Sequence, residues 1–230
     1  MAVSEIWLAV DAEPVPPDQK RPDQVEWHWG DRSLALAIDA IATVSGFPVR
    51  VVPVADAQSP LPPDRNAVTV LPLSLNVPPT LLDPALGEVL TKCRDRAQFR
   101  TWVEDTLDVA TGDGSWWLPI ALTAKGPLYG EAIAFDEQRN GFAQPWHLSD
   151  AERQPAYRTG LQLLQALDAP PSVYLLQFSL DGRGRMVIDR LYPFPARPAL
   201  ASHGVQKPDL FACYWTCTLG ARLRDLVILG

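Results

Sequence analysis

The prolines decide first what this chain can fold into. Twenty-three of its 230 residues are proline, roughly twice the usual 5%. They gather at 14–22, 53–63, 72–84 and 193–198. Proline fixes one backbone angle and has no N–H to donate to a helix or sheet ladder, so each cluster marks where an element must stop. The chain is therefore one of short helices and strands joined by stiff turns. No repeat with a period of roughly 20 to 50 residues is present, which excludes a solenoid.

What lies between the clusters is apolar enough to fold. At 47% hydrophobic and 20% charged, the chain can bury one sizeable core or two small lobes that share a face. The net charge of -7 and pI near 4.9 argue against nonspecific binding to nucleic acid or an anionic membrane, since both attract clustered Lys and Arg. A small polyphosphate remains allowed, because it needs only a local positive pocket. No segment approaches the ~20 apolar residues of a membrane span. The N-terminal stretch MAVSEIWLAVDAEP has no basic segment before its short apolar run. These features lead us to expect a cytosolic protein. Cys93, Cys213 and Cys217 are an odd number, and the last two are spaced for one helix face. They read as buried structural thiols. Zinc would need further ligands, and His28, His147 and His203 are scattered.

Periodicity gives the element order. EIWLAVDAE alternates as a strand, and the clearest helix of the N-terminal half has Asp31 as its cap, Leu34, Ile38, Ile41 and Val44 as its stripe, and Gly46 as its stop. PVRVVPV and AVTVLPLSL follow as strands, a succession that predicts an α/β layer with parallel pairing. Helices are expected over 80–91 and 94–110, the second with Phe99, Trp102, Val103 and Leu107 inward, and TGDG at 111–114 ends them. SWWLPIALTAKGPLYGEAIAF reads as two strands around a Lys-Gly-Pro turn, with DEQRNGF and QPWHL as loop. Ser149 and Glu152 form a capping box for a helix whose inward stripe is Tyr157, Leu161 and Leu164. Two strands around DGRG come next, then a closing helix with Phe211, Trp215, Leu219 and Leu223 at four-residue spacing. The expected class is α/β or α+β, a mixed sheet with flanking helices. It divides into lobes at 1–110 and 111–230 or forms one continuous domain.

The richest stretch is SVYLLQFSLDGRGRMVIDRLYPFPARPAL, residues 172–200. Its order of helix, proline turn, strand, Asp-Gly hairpin, strand, charged pair and Pro-x-Pro resembles the end of the ATP-grasp domain, the fold of carboxylate-amine ligases. The resemblance implies an acid on the first hairpin strand and a Glu-apolar-Asn-Pro motif on the second, which together hold magnesium against nucleotide phosphates. It thereby implies ATP and magnesium as cofactors. Here Gln177 stands at the first position, and DRLYP at 189–193 sets Arg190 for the glutamate and Tyr192 for the asparagine. Asp189 is the one acid, a candidate metal ligand one residue out of place. In a regular strand it would face away from Gln177, and a bulge would change that. The resemblance also implies that Lys125, in PIALTAKGPLYGEAIA, contacts phosphate. Gln177 and Arg190 would line the same nucleotide pocket. Alternatively, Asp189 and Arg190 form an exposed pair on an edge strand and Lys125 is merely solvated.

A second set of residues suggests a different role. Trp27, Trp29, Trp116, Trp117 and Trp146 lie in or beside loops, where aromatics near prolines compose a protein-binding surface; the alternative is that they seal a loop-rich core. The absent acids favour a noncatalytic interaction or assembly module on a degenerate ATP-grasp-like scaffold, with a protein partner. The element order keeps the alternative of an ATP-dependent ligase-like or nucleotide-binding protein. His28 and His147, each beside a tryptophan, have no identifiable catalytic partner in the sequence.

Overall fold

The computed structural model describes residues 4–11, 31–54 and 67–229. Its first layer is a three-stranded parallel sheet. β1 (Glu5–Asp11) lies between β2 (Val49–Val54) and β3 (Val68–Pro72). Residues 6–10 of β1 are all buried, as a strand covered on both faces requires. α1 (Asp31–Ser45) links β1 to β2 and ends at Gly46, whose φ of 69° is the left-handed conformation that releases the chain from a helix. Its inner face is set by Ala37, Ala40 and Ile41, while Val44, expected inward, is 48% exposed.

α2 (Pro84–Arg94) and α3 (Arg96–Leu107) follow a 3-10 turn at Pro79–Leu81. The break between them falls at Asp95, not at Lys92 and Cys93. Asp95 accepts a hydrogen bond from the Gln98 N–H and so caps α3. Its preference for a cap over a helix interior places the boundary there.

The second layer is a six-stranded antiparallel sheet in the order β7-β6-β4-β8-β9, with β5 paired to β4. The expected pair of strands over 115–135 is three: β4 (Trp116–Thr123), β5 (Gly126–Tyr129) and β6 (Ala132–Asp136). β5 and β6 pair with opposite ends of β4. The segment read as loop contains a further strand, β7 (Gly141–Trp146), and Pro145 is tolerated because β7 is the sheet edge.

α4 (Asp150–Ala166) starts at the expected capping box, with Glu152 accepting from both the backbone and the hydroxyl of Ser149. Its buried face is Ala156, Gly160, Leu163 and Leu164; of the predicted stripe Leu164 is buried, while Tyr157 and Leu161 are only half-buried. Gly160 lets the helix approach closely, since a Cβ there would sit 2.8 Å from Ile120 Cδ1. β8 (Ser172–Leu180) and β9 (Met186–Tyr192) form the predicted hairpin, with Gly184 at φ 72° in its turn.

α5 (Leu210–Thr218) is the last helix among the described residues and is buried almost all round. Leu219, expected on its inner stripe, lies past the helix end and is 47% exposed. Cys213 and Cys217 share this helix, and all three cysteines are free and buried. Burial pushes the Cys217 thiol up to about 11 and Cys93 and Cys213 higher still. One cluster of buried side chains runs from β1 through α5 and the large sheet. No helix among the described residues is long and apolar enough to cross a membrane.

Candidate functional site

The central question posed by the sequence is where Asp189 and Arg190 point. The pairing of β8 with β9 answers it. Gln177 lies opposite Arg190 and Phe178 opposite Ile188, so Asp189 is the extra residue of a bulge. Residues directly opposite each other in an antiparallel pair share a face. Arg190 therefore joins Gln177 and its other neighbour, Trp117, in one cross-strand row. Arg190 occupies the position the resemblance gives to glutamate.

The row is tightly held. Gln177, Arg190 and Trp117 are 6%, 8% and 4% exposed. Gln177 donates its Nε2 to the Gly114 carbonyl at 2.8 Å, and Tyr192 donates its hydroxyl toward Gln177 Oε1 at 3.4 Å. The Arg190 guanidinium lies 5.8 Å from the Tyr192 ring centre, within cation–π range.

The bulge turns Asp189 elsewhere. Only 1% exposed, its carboxylate receives a fork from Arg96, Nε to Oδ1 at 2.6 Å and Nη2 to Oδ2 at 2.7 Å. Arg100 Nη2 adds a bond to Oδ1 at 2.9 Å, and the Gly114 N–H one to Oδ2 at 2.8 Å. Arg100 also donates to the carbonyls of Asp189 and Gly112. Both arginines reach Asp113 as well, at 2.8 Å each. The hydrogen bond from Arg100, then the charge of Arg96, holds the Asp113 carboxyl below its ordinary range. α3, the 111–114 loop and β9 are thus locked around one carboxylate.

This arrangement does not fit magnesium. A carboxylate has about four lone-pair sites, and four N–H donors fill those of Asp189. Gln177 brings no charge, and Arg190, Arg96 and Arg100 would repel a dication. Among the described residues, no group of three or more His, Cys, Asp or Glu is placed to hold a metal ion.

The remaining predicted residues disperse. Lys125 is exposed in the β4–β5 turn. Trp117 pairs with Gln177, whereas Lys125 lies beyond Thr123 at the far end of β4, about 20 Å along the strand. It is not brought to the row. Trp117 is core, packed edge-on against Phe142, and Trp116 is half-buried against Phe178. Trp146 is 43% exposed on β7, and His147 is exposed beside it. Trp27, Trp29 and His28 lie outside the described residues. An open groove of about 800 Å³ between α2 and α3 is lined by none of the predicted residues; Lys92 Nζ sits there 4.6 Å from the Trp102 ring centre.

Sequence reasoning missed Arg96 and Arg100. A signal existed: Arg96 is the first residue of α3, where the helix dipole disfavours a cation unless an acid faces it.

Comparison with solved structures identifies the architecture. The chain is similar to a synthetase of N5-carboxyaminoimidazole ribonucleotide solved with ADP, at TM-score 0.70 and 10% identity, over 98% of this chain and 79% of that one. It is similar also to glycinamide-RNase-transformylase T from Mycobacterium tuberculosis, at TM-score 0.66 and 16% identity, over 98% of this chain and 82% of that one. A third likeness is to an L-amino acid ligase from Bacillus licheniformis, at 0.64 and 9%, over 93% and 74%. No protein-family model and no curated protein matches the sequence. The fold is ATP-grasp-like, a mixed α/β architecture with a parallel sheet, a large antiparallel sheet and a two-stranded antiparallel pair of Gln206–Lys207 with Val227–Ile228.

Proposed function

We propose that the chain is a nucleotide-binding protein of ATP-grasp-like architecture that takes its ligand without a carboxylate-held magnesium ion. The observation that carries this reading is the likeness over 98% of the chain to a synthetase in complex with ADP. Arg190 supplies a guanidinium on the sheet face it shares with Gln177 and Trp117. A guanidinium can take phosphate oxygens directly, which suits a site whose one acid is already spent on Arg96 and Arg100.

Thermal unfolding with millimolar ADP or ATP tests it. At a hundred times the dissociation constant, a ligand adds about 2.7 kcal/mol, a rise of about 5–10 °C for a chain of this size. The same rise is expected with magnesium and with EDTA. No rise in either condition overturns the proposal, and a rise that requires magnesium overturns its metal-free clause.

A second reading, a noncatalytic interaction or assembly module on the same scaffold, is favoured by the diversion of Asp189 and by the exposure of Trp146 and Phe135 on neighbouring strands. An absent nucleotide shift, together with a Trp146→Ala variant that loses association with a protein partner, would favour it.

A further inference from the structure

The groove between α2 and α3 takes no part in the nucleotide-binding reading, and it is large enough to hold a ligand of its own. Its volume of about 800 Å³ lies within the roughly 300–1,000 Å³ of small-molecule sites. Segments far apart in the chain meet around it: the 3-10 turn at Pro79–Leu81, both helices, and the end of α4, which contributes Leu167.

The frame of the groove is firmly held. Gly87 lets α2 lie close against the turn, since a Cβ there would sit 3.2 Å from Pro79 Cβ and 3.3 Å from the Pro79 carbonyl oxygen. Asp83 caps α2 and Asp95 caps α3, each accepting a backbone N–H, so the start of each helix is fixed. Along the lining, Val89 and Leu167 are buried and Leu82 is half-buried. Trp102 stands among them with its ring 6.1 Å from that of Phe99. These side chains give the groove an apolar floor and an aromatic wall.

The polar groups stand on α2, one helical turn apart. Lys92 is exposed, and its Nζ lies 4.6 Å from the Trp102 ring centre, within cation–π range. The indole thereby holds a positive charge at the groove wall. An ammonium has three N–H donors, and those not aimed at the ring are left for a ligand oxygen. Glu88, four residues before Lys92, also lines the groove, so a second negative charge on a ligand would meet repulsion. We propose that this groove binds a small aromatic monocarboxylate, with its ring against Trp102, Leu82 and Leu167 and its carboxylate on Lys92 Nζ. A flat ring packs edge-on or offset against an indole, and an ammonium–carboxylate contact is a charge-assisted hydrogen bond. A neutral analogue forgoes that bond, and a cationic one meets the charge of Lys92.

Saturation-transfer NMR with millimolar phenylacetate tests the site, with phenethyl alcohol and phenethylamine as neutral and cationic counterparts of the same ring. Phenylacetate is expected to bind at least about tenfold more tightly than either. Lys92→Met keeps an apolar chain against Trp102 and removes the charge; it should lower phenylacetate to the affinity of the alcohol while unfolding near the wild-type temperature. Trp102→Leu should weaken all three ligands. No transfer from phenylacetate, equal binding of the alcohol or the amine, or phenylacetate binding that survives either substitution overturns the proposal. No nucleotide is present, so the outcome is independent of the nucleotide-binding reading.

Discussion

Asp189→Ala is expected to be among the most damaging single substitutions in this chain, costing about 3 kcal/mol, or about 10 °C in unfolding temperature. The carboxylate it removes is 1% exposed and takes four donors from three residues on two segments, α3 and the loop that follows it. Breaking a buried ion pair from one side is expensive because the partner charges lose their compensation. Arg96 and Arg100 are 26% and 23% exposed, so water reaches them in part, and the estimate sits at the low end of the range for fully buried pairs. Asp189→Asn preserves the shape and one acceptor oxygen and should cost less. A double variant with Arg96→Met should show coupling of about 1–3 kcal/mol. Denaturant unfolding checks each value. An Asp189→Ala protein that unfolds like wild type would mean the clasp contributes nothing.

Gly114→Ala is the second. An added Cβ would sit 2.7 Å from the Phe178 amide nitrogen and 2.9 Å from its Cα and carbonyl carbon. All three are backbone atoms of β8, so no rotamer change relieves the clash and the loop itself must move. That movement stretches the Gly114 N–H bond to Asp189 and the Gln177 bond to the Gly114 carbonyl. About 2–3 kcal/mol is expected, about 8 °C in unfolding temperature. Gly182→Ala is the control: nothing lies within 4 Å of its Cβ, and its cost should stay within about 0.5 kcal/mol. Equal stability of the two variants would refute the close-approach explanation.

The sequence revealed what local patterns encode. The capped helix at Ser149, the hairpin around DGRG and the parallel pairing of the first strands follow from hydrogen-bonding preferences and from side-chain periods of 3.6 and 2. β7 escaped notice because Pro145 and the polar turn before it look like loop, and only its place at the sheet edge makes that proline acceptable. The helix faces came out rotated for a related reason. Gly160 and Ala37 are inward because a neighbouring element comes close, and hydrophobicity alone favours the larger residues beside them.

The site was legible in its residues but not in its geometry. Gln177, Asp189 and Arg190 are the residues at the β8–β9 pairing, yet one bulge takes Asp189 out of register with Gln177 and into the grip of Arg96 and Arg100, with Arg190 Nε still 4.0 Å from its Oδ1. The partners of Asp189 lie 89 and 93 residues earlier in the chain, beyond the reach of any periodicity. Lys125 illustrates the converse. Its turn is where the sequence puts it, but an antiparallel sheet carries that turn to the far end from Gln177.

The most direct test is a crystal soaked with ADP and manganese, with anomalous scattering recorded at the manganese edge. The expected result is ADP on the Gln177–Arg190 face, no manganese at the carboxylate of Asp189, and Arg96 and Arg100 still bound to it. A manganese ion bridging Asp189 to a phosphate, with the two arginines displaced, would contradict the reading of this fold as a nucleotide site that has exchanged its metal for guanidinium groups.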